Sequence, residues 1–182
     1  MTEEPRAEGA QAEGSRAEEP RAEGARAFQA SVARTLTITP AVDQAIRAHG
    51  QQTYPHECCG ALLGRDGSVT DLVALANTTE EGPRRRFLVR PGDYRQAEQR
   101  ATELGVELLG FYHSHPDHPA RPSQFDLDHA WPNFAYVIVS VMSGAARQMT
   151  VWFLKDDRSS FDEGELNGDE NPDSNPAQAV HG

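Results

Sequence analysis

Gly110-Phe111-Tyr112-His113-Ser114-His115-Pro116-Asp117-His118-Pro119-Ala120-Arg121-Pro122-Ser123-Gln124-Phe125-Asp126 is the stretch that decides how this chain folds and what it can do. Residues 106–113 form an apolar run leading into a proline at 116, the pattern of a buried strand. His113 and His115 stand two apart at the end of that strand, so both imidazoles point to the same side of a sheet. A short helix follows over 123–130, and Asp126, one turn after Ser123, can come back to the same point. Two neutral imidazoles and one carboxylate make a three-ligand zinc set with a fourth position open to water, the coordination pattern of catalytic sites. The open position predicts hydrolysis.

Each piece alone has a simpler explanation. A His-x-His pair at a strand end can be hydrogen-bonded surface, and Ser-x-x-Asp is close to a helix capping box with Ser123 as the cap. Together the pieces also call for a general base, and Glu57 is the candidate. It opens the apolar run Glu57-Cys58-Cys59-Gly60-Ala61-Leu62-Leu63-Gly64, where a carboxylate at the edge of a buried strand needs a partner to offset its desolvation. A metal-bound water is such a partner.

Rival motifs fail on inspection. His56-Glu57-Cys58-Cys59-Gly60 begins like the His-Glu-x-x-His zinc helix but carries Gly60 at the fifth place. The His-x-Glu and Pro-Cys-x-x-Cys of zinc deaminases are both missing. Cys58 and Cys59 point to opposite faces of a strand and read as core packing, with a nucleophilic cysteine the weaker alternative. His118 and His129 flank the motif as exposed loop histidines.

Outward from this stretch the elements alternate. Residues 35–39 form a short strand, and Thr39 caps a helix with Pro40 at its first position, ended by Gly50. Residues 58–63 and 69–76 pair as a hairpin around Asp66-Gly67, and 87–89 make a further short strand. A helix runs over 93–104 to Gly105. Strands over 135–142 and 148–154 meet at a Ser143-Gly144 turn. The sum is an α/β domain, with a mixed or mostly antiparallel sheet and two main helices.

The ends are different in kind. Glu3-Glu4-Pro5-Arg6-Ala7-Glu8-Gly9-Ala10 recurs unchanged at 18–25, and no large apolar residue occurs there before Phe28. Such a segment cannot bury enough surface to offset its ordering entropy, so residues 1–33 are expected to be a disordered repetitive tail. Residues 167–182 are expected to be an acidic disordered tail, leaving 34–166 as the domain. Of the net charge of −11, residues 1–27 carry −3 and 159–182 carry −6, so the centre is close to neutral. An acidic chain with no basic face argues against nucleic acid as a partner. The longest apolar run is too short for a membrane helix, and two adjacent cysteines build no disulfide framework, so a cytoplasmic location is expected.

The spacing His-x-His, seven residues, Ser, two residues, Asp, with an upstream Glu, resembles the JAMM (MPN-plus) metallopeptidase family, and the text around Glu57 and His113 resembles its small bacterial and archaeal branch. The likeness covers residues 35–155 and fills all five motif positions. It implies a cytidine-deaminase-like α/β sandwich binding one Zn²⁺ per chain through His113, His115 and Asp126. It also implies Glu57 as general base and acid, and Ser123 as the donor to the tetrahedral oxyanion. The implied substrate is the amide or isopeptide bond after the C-terminal Gly-Gly of a ubiquitin-like or sulfur-carrier protein. Only 127–134 separates Asp126 from the next strand, which leaves no room for the second-zinc insertion of polyubiquitin-specific relatives. The Arg84-Arg85-Arg86 cluster with Arg90 is a candidate contact for an acidic carrier, set against a plain solvated loop. Two alternatives are a DNA-repair-associated JAMM-like protein, which usually has an upstream helix-hairpin-helix module, and a non-catalytic MPN scaffold, which expects lost ligands.

Overall fold

The computed structural model describes residues 34–76 and 89–168. The N-terminal tail, the acidic tail from 169, Arg84-Arg85-Arg86, and Phe87 and Leu88 of the strand expected at 87–89 lie outside the described residues. In chain order the elements are β1 (Thr35–Ile38), α1 (Pro40–Thr53), β2 (Cys59–Arg65), β3 (Ser68–Leu75), α2 (Pro91–Leu104), β4 (Glu107–Pro116), α3 (Gln124–His129), β5 (Ala135–Met142), β6 (Ala145–Leu154), β7 (Phe161–Glu163) and β8 (Glu165–Gly168). No helix among them is long and apolar enough to cross a membrane.

The strands form one mixed sheet in the order β7-β6-β5-β4-β2-β3-β1-β8. β2 pairs antiparallel with both β3 and β4, β4 pairs parallel with β5, and β1 pairs parallel with both β3 and β8. The α/β class and the β2–β3 hairpin follow the sequence expectation. β7 and β8 were not expected: the acidic text after Phe161 has little apolar patterning, and these strands are held by backbone pairing with β6 and β1. β8 runs to Gly168, two residues past the expected domain end. Only Gly164 separates β7 from β8, so one extended run of chain joins the two ends of the sheet order. A Cβ on Gly164 would lie 2.4 Å from the Arg34 carbonyl oxygen and the Phe153 ring, so this junction requires glycine.

α1 starts as expected, with the Thr39 hydroxyl accepting from the Val42 amide at 3.3 Å. Its end is a correction, because the helix continues through Gly50 to Thr53. An interior glycine costs a helix about 1 kcal/mol, whereas full burial of Ile46 alone is worth about 1.5–3 kcal/mol. Packing therefore outweighs the local stop signal. At Gly50 α1 lies close against the sheet, since a Cβ there would sit 3.0 Å from Val141 and 3.3 Å from Ser114. α2 ends as expected at Gly105, in the left-handed conformation at φ 66°.

Alternation along the strands divides the core in two. Leu36, Ile38, Leu62, Tyr112 and Val139 pack with Val42 and Ile46 of α1, and Leu63, Phe111 and Tyr136 pack with Ala97 and Ala101 of α2. Cys58 and Cys59 fall on opposite faces, both buried and free. β4 lies inside the sheet between β2 and β5, and its C-terminal end carries the two histidines.

Candidate metal centre

His113 and His115 project from the face of β4 that also carries Phe111, as the two-residue period requires. Both are buried, with Nε2 atoms 3.0 Å apart. Asp126 comes to them from the first turn of α3, Oδ1 lying 3.5 Å from His113 Nε2 and Oδ2 3.6 Å from His115 Nε2. The capping box that was the simpler explanation of Ser-x-x-Asp is present and is itself the positioning device. The Ser123 amide and hydroxyl donate to Asp126 Oδ2 at 2.6 and 2.7 Å, and the Asp126 amide donates to Ser123 Oγ at 3.2 Å. Capping thus fixes the direction of the Asp126 carboxylate.

Glu57 reaches the same place from the segment just ahead of β2. Cys59 is opposite His113, and the Glu57 carboxyl two residues earlier is near enough to His115 and Asp126 for their charges to act on it. A reciprocal clamp holds this pairing: the Cys58 amide donates to Ser114 Oγ at 2.9 Å and the Ser114 amide donates to the Cys58 carbonyl at 3.1 Å. Ser114, between the two histidines, was not marked by the sequence reading as part of the site. His118 and His129 stand apart from the cluster as exposed residues, His129 Nδ1 lying 2.9 Å from the Phe125 carbonyl oxygen.

Burial and mutual charge push these groups in opposite directions. Burial raises Glu57 from its ordinary 4.5 to about 8, with His115 opposing the shift and Asp126 adding to it. Burial also acts to raise Asp126, but His113, His115 and Ser123 outweigh it and hold the carboxyl well below the usual range. His113 is lowered, chiefly by burial. His115 is raised because Asp126 and Glu57 outweigh its burial. Burial and neighbouring charge thus drive the two carboxyl groups in opposite directions, a kind of perturbation concentrated at catalytic and binding sites.

The donor set suits a divalent metal. Ligand atoms of His113, His115 and Asp126 all lie within 4.8 Å of one another, and all three residues are buried. Two imidazoles and one carboxylate match zinc coordination with a place left for a further ligand. His115 Nδ1 lies 3.0 Å from the Pro119 carbonyl oxygen, so the N–H is directed there and the Nε2 lone pair faces the cluster.

A family model described as prokaryotic homologues of the JAB domain matches residues 39–155. The chain belongs to this family. That meets the JAB/MPN resemblance and places all four clustered side chains within the JAB domain. Among curated relatives, the desampylase of Haloferax volcanii is 34% identical over 89 residues, 47% of this chain and 63% of that protein. The probable TtuB-protein conjugate cleaving protease of Thermus thermophilus is 35% identical over 92 residues, 50% of this chain and 61% of that protein. The chain therefore spans less than two thirds of the length of either. A solution structure of a protein from Salinibacter ruber is 44% identical with a TM-score of 0.59, covering 75% of this chain and 93% of that one.

Proposed function

We propose that this JAB-domain protein is a zinc-dependent peptidase hydrolysing the amide or isopeptide bond after the C-terminal Gly-Gly of a ubiquitin-like or sulfur-carrier protein. The observation that carries this reading is the buried His113–His115–Asp126 donor set with the buried Glu57 carboxyl within reach of the charges of His115 and Asp126. Two relatives whose names are desampylase and conjugate cleaving protease support the substrate class. His113, His115 and Asp126 would hold the metal. When bound, zinc supplies a Lewis acid for the scissile carbonyl and lowers the pKa of its water from about 15.7 towards about 7.

The protein's own groups do the rest. Glu57 takes a proton from the attacking water and returns it to the leaving nitrogen. The Ser123 hydroxyl has a single proton, which it gives to Asp126 in this structure. Turning that proton to the developing oxyanion gives a donor made for the transition state, an effect worth roughly 3 kcal/mol. No enzyme nucleophile is needed, and burial raises the Cys58 thiol to about 11 and the Cys59 thiol to about 12, far from reactive values. The two free thiols fit a reducing compartment, so the proposed setting is the cytoplasm.

The test is metal analysis followed by incubation with a β-grasp carrier protein blocked beyond its Gly-Gly end. One zinc per chain and cleavage after the second glycine, abolished by chelator and restored by zinc, is the expected result. Cleavage that persists in a rigorously metal-free preparation would overturn it.

A further inference from the structure

β4 ends on Pro116 and the loop from it to α3 contains prolines at 119 and 122, each fixing its own φ near −65°. Its carbonyl groups are held one by one. The His118 oxygen accepts from Ser140 Oγ of β5 at 2.7 Å. The Ala120 oxygen accepts from Thr150 Oγ1 of β6 at 2.5 Å and from Trp152 Nε1 at 3.2 Å, and Trp152 Nε1 also donates to Thr150 Oγ1 at 2.8 Å. Between them the Pro119 oxygen accepts from the Arg121 amide at 2.9 Å and faces His115 Nδ1 at 3.0 Å. The bonded carbonyls on both sides and the ring-locked φ of Pro119 narrow the conformations open to this stretch, in which the Pro119 oxygen points at His115 Nδ1.

The sheet register shows why these donors reach the loop. His113 is opposite Ile138 and His115 is opposite Ser140 on β5, while Ile138 is opposite Thr150 on β6. Partners across a sheet share a face, so Ser140 and Thr150 stand on the same face as the two histidines. Ser140, Thr150 and Ala120 are all buried. The two buried hydroxyls offset their desolvation through their bonds to the loop carbonyls, which ties both strands to the loop.

We propose that Thr150, with Trp152 and Ser140, is a positioning residue for the metal centre: by fixing the β4–α3 loop it aims the Pro119 carbonyl at His115 Nδ1 and so keeps the Nε2 lone pair turned to the metal. This rests on the reading of His113, His115 and Asp126 as metal ligands. Loss of a partner that orients a ligating histidine typically lowers metal affinity 10- to 100-fold, and Thr150 acts one step further out, so a fall of about tenfold is expected.

The experiment is titration of the full chain, stripped of metal, with zinc in competition with a chromophoric chelator, in four proteins. Thr150→Val keeps the shape and removes the hydroxyl, Thr150→Ser restores the hydroxyl, and Val139→Ala destabilises the opposite face of the sheet. Unfolding midpoints of the metal-free proteins are measured in parallel. The expected result is about tenfold weaker zinc binding in Thr150→Val, recovery to within about twofold in Thr150→Ser, and unchanged affinity in Val139→Ala despite its lower stability. Equal affinity in Thr150→Val and wild type, or an equal fall in Val139→Ala, overturns the positioning role while leaving the metal site intact. Absence of zinc binding in the wild type overturns the metal site itself.

Discussion

The two faces of β4 differ more than their shared burial suggests. Tyr112 and Ser114 turn towards α1, and each has one satisfied polar partner: Tyr112 Oη lies 2.9 Å from His49 Nδ1, and Ser114 Oγ accepts from the Cys58 amide. The Tyr112 ring even lies over Gly60, where a Cβ would come within 2.2 Å of it. His113 and His115, one residue out of step, face a second imidazole and two carboxyl groups whose proton affinities are driven apart. One face shows polar atoms accommodated within a core. The other shows charge concentrated where burial makes it costly, held by mutual pairing of Asp126 with the two imidazoles and Ser123.

Breaking the second face should have the largest effects. Asp126→Ala removes one of three ligands, and zinc sites of about 10–16 kcal/mol spread over three or four ligands imply a loss of affinity of about a hundredfold or more. Competition titration should show this, with cleavage abolished. Glu57→Gln keeps the ligands, so zinc should stay stoichiometric while kcat/KM falls by about 10²–10⁴. A Glu57→Gln protein with wild-type turnover would remove the general base from the mechanism.

Ser123→Ala separates capping from catalysis. Losing the oxyanion donor should lower kcat by about 10²–10³, while losing the cap should lower stability by about 1 kcal/mol in denaturant unfolding. A stability loss with unchanged kcat would leave Ser123 as a cap alone.

Glu57 also sharpens the comparison through stability. Its folded value of about 8 lies above the ordinary 4.5, so the folded protein binds this proton more tightly than the unfolded chain does. The metal-free protein should therefore lose stability as pH rises from about 4.5 to about 8. Glu57→Gln should remove that loss, being more stable than wild type by on the order of 2–3 kcal/mol at pH 7 and equal to it below pH 4. Denaturant unfolding across this range checks the sign. On the α1 face, Tyr112→Phe should cost only about 1 kcal/mol and leave zinc affinity unchanged; a fall in affinity would show that the two faces are coupled.

Most of the site was legible because its residues are close in the chain or in a strong local pattern. His113 and His115 are linked by the two-residue strand period, and Asp126 is linked to Ser123 by one helical turn. Glu57 was found from an energetic mismatch, a carboxylate opening an apolar run. Elements with clear periodicity were found with their ends shifted: α1 ran past Gly50 because burial outweighed the glycine, and β4 ran on to Pro116. β7 and β8 were missed because short strands at the ends of the sheet order are held by backbone pairing, which leaves little trace in side-chain pattern.

By itself, the sequence determined the α/β class, the two histidines on one face, the capped carboxylate and the costly placing of the Glu57 carboxyl, since each follows from a local period or a local energy. Only the tertiary structure decided that Glu57 comes near His115 and Asp126, that Ser114 of β4 clamps Cys58 just ahead of β2, and that Thr150 shares a row with His113. Those relations depend on strand order and register, which are set by long-range pairing between segments tens of residues apart and by the packing that selects one pairing from many.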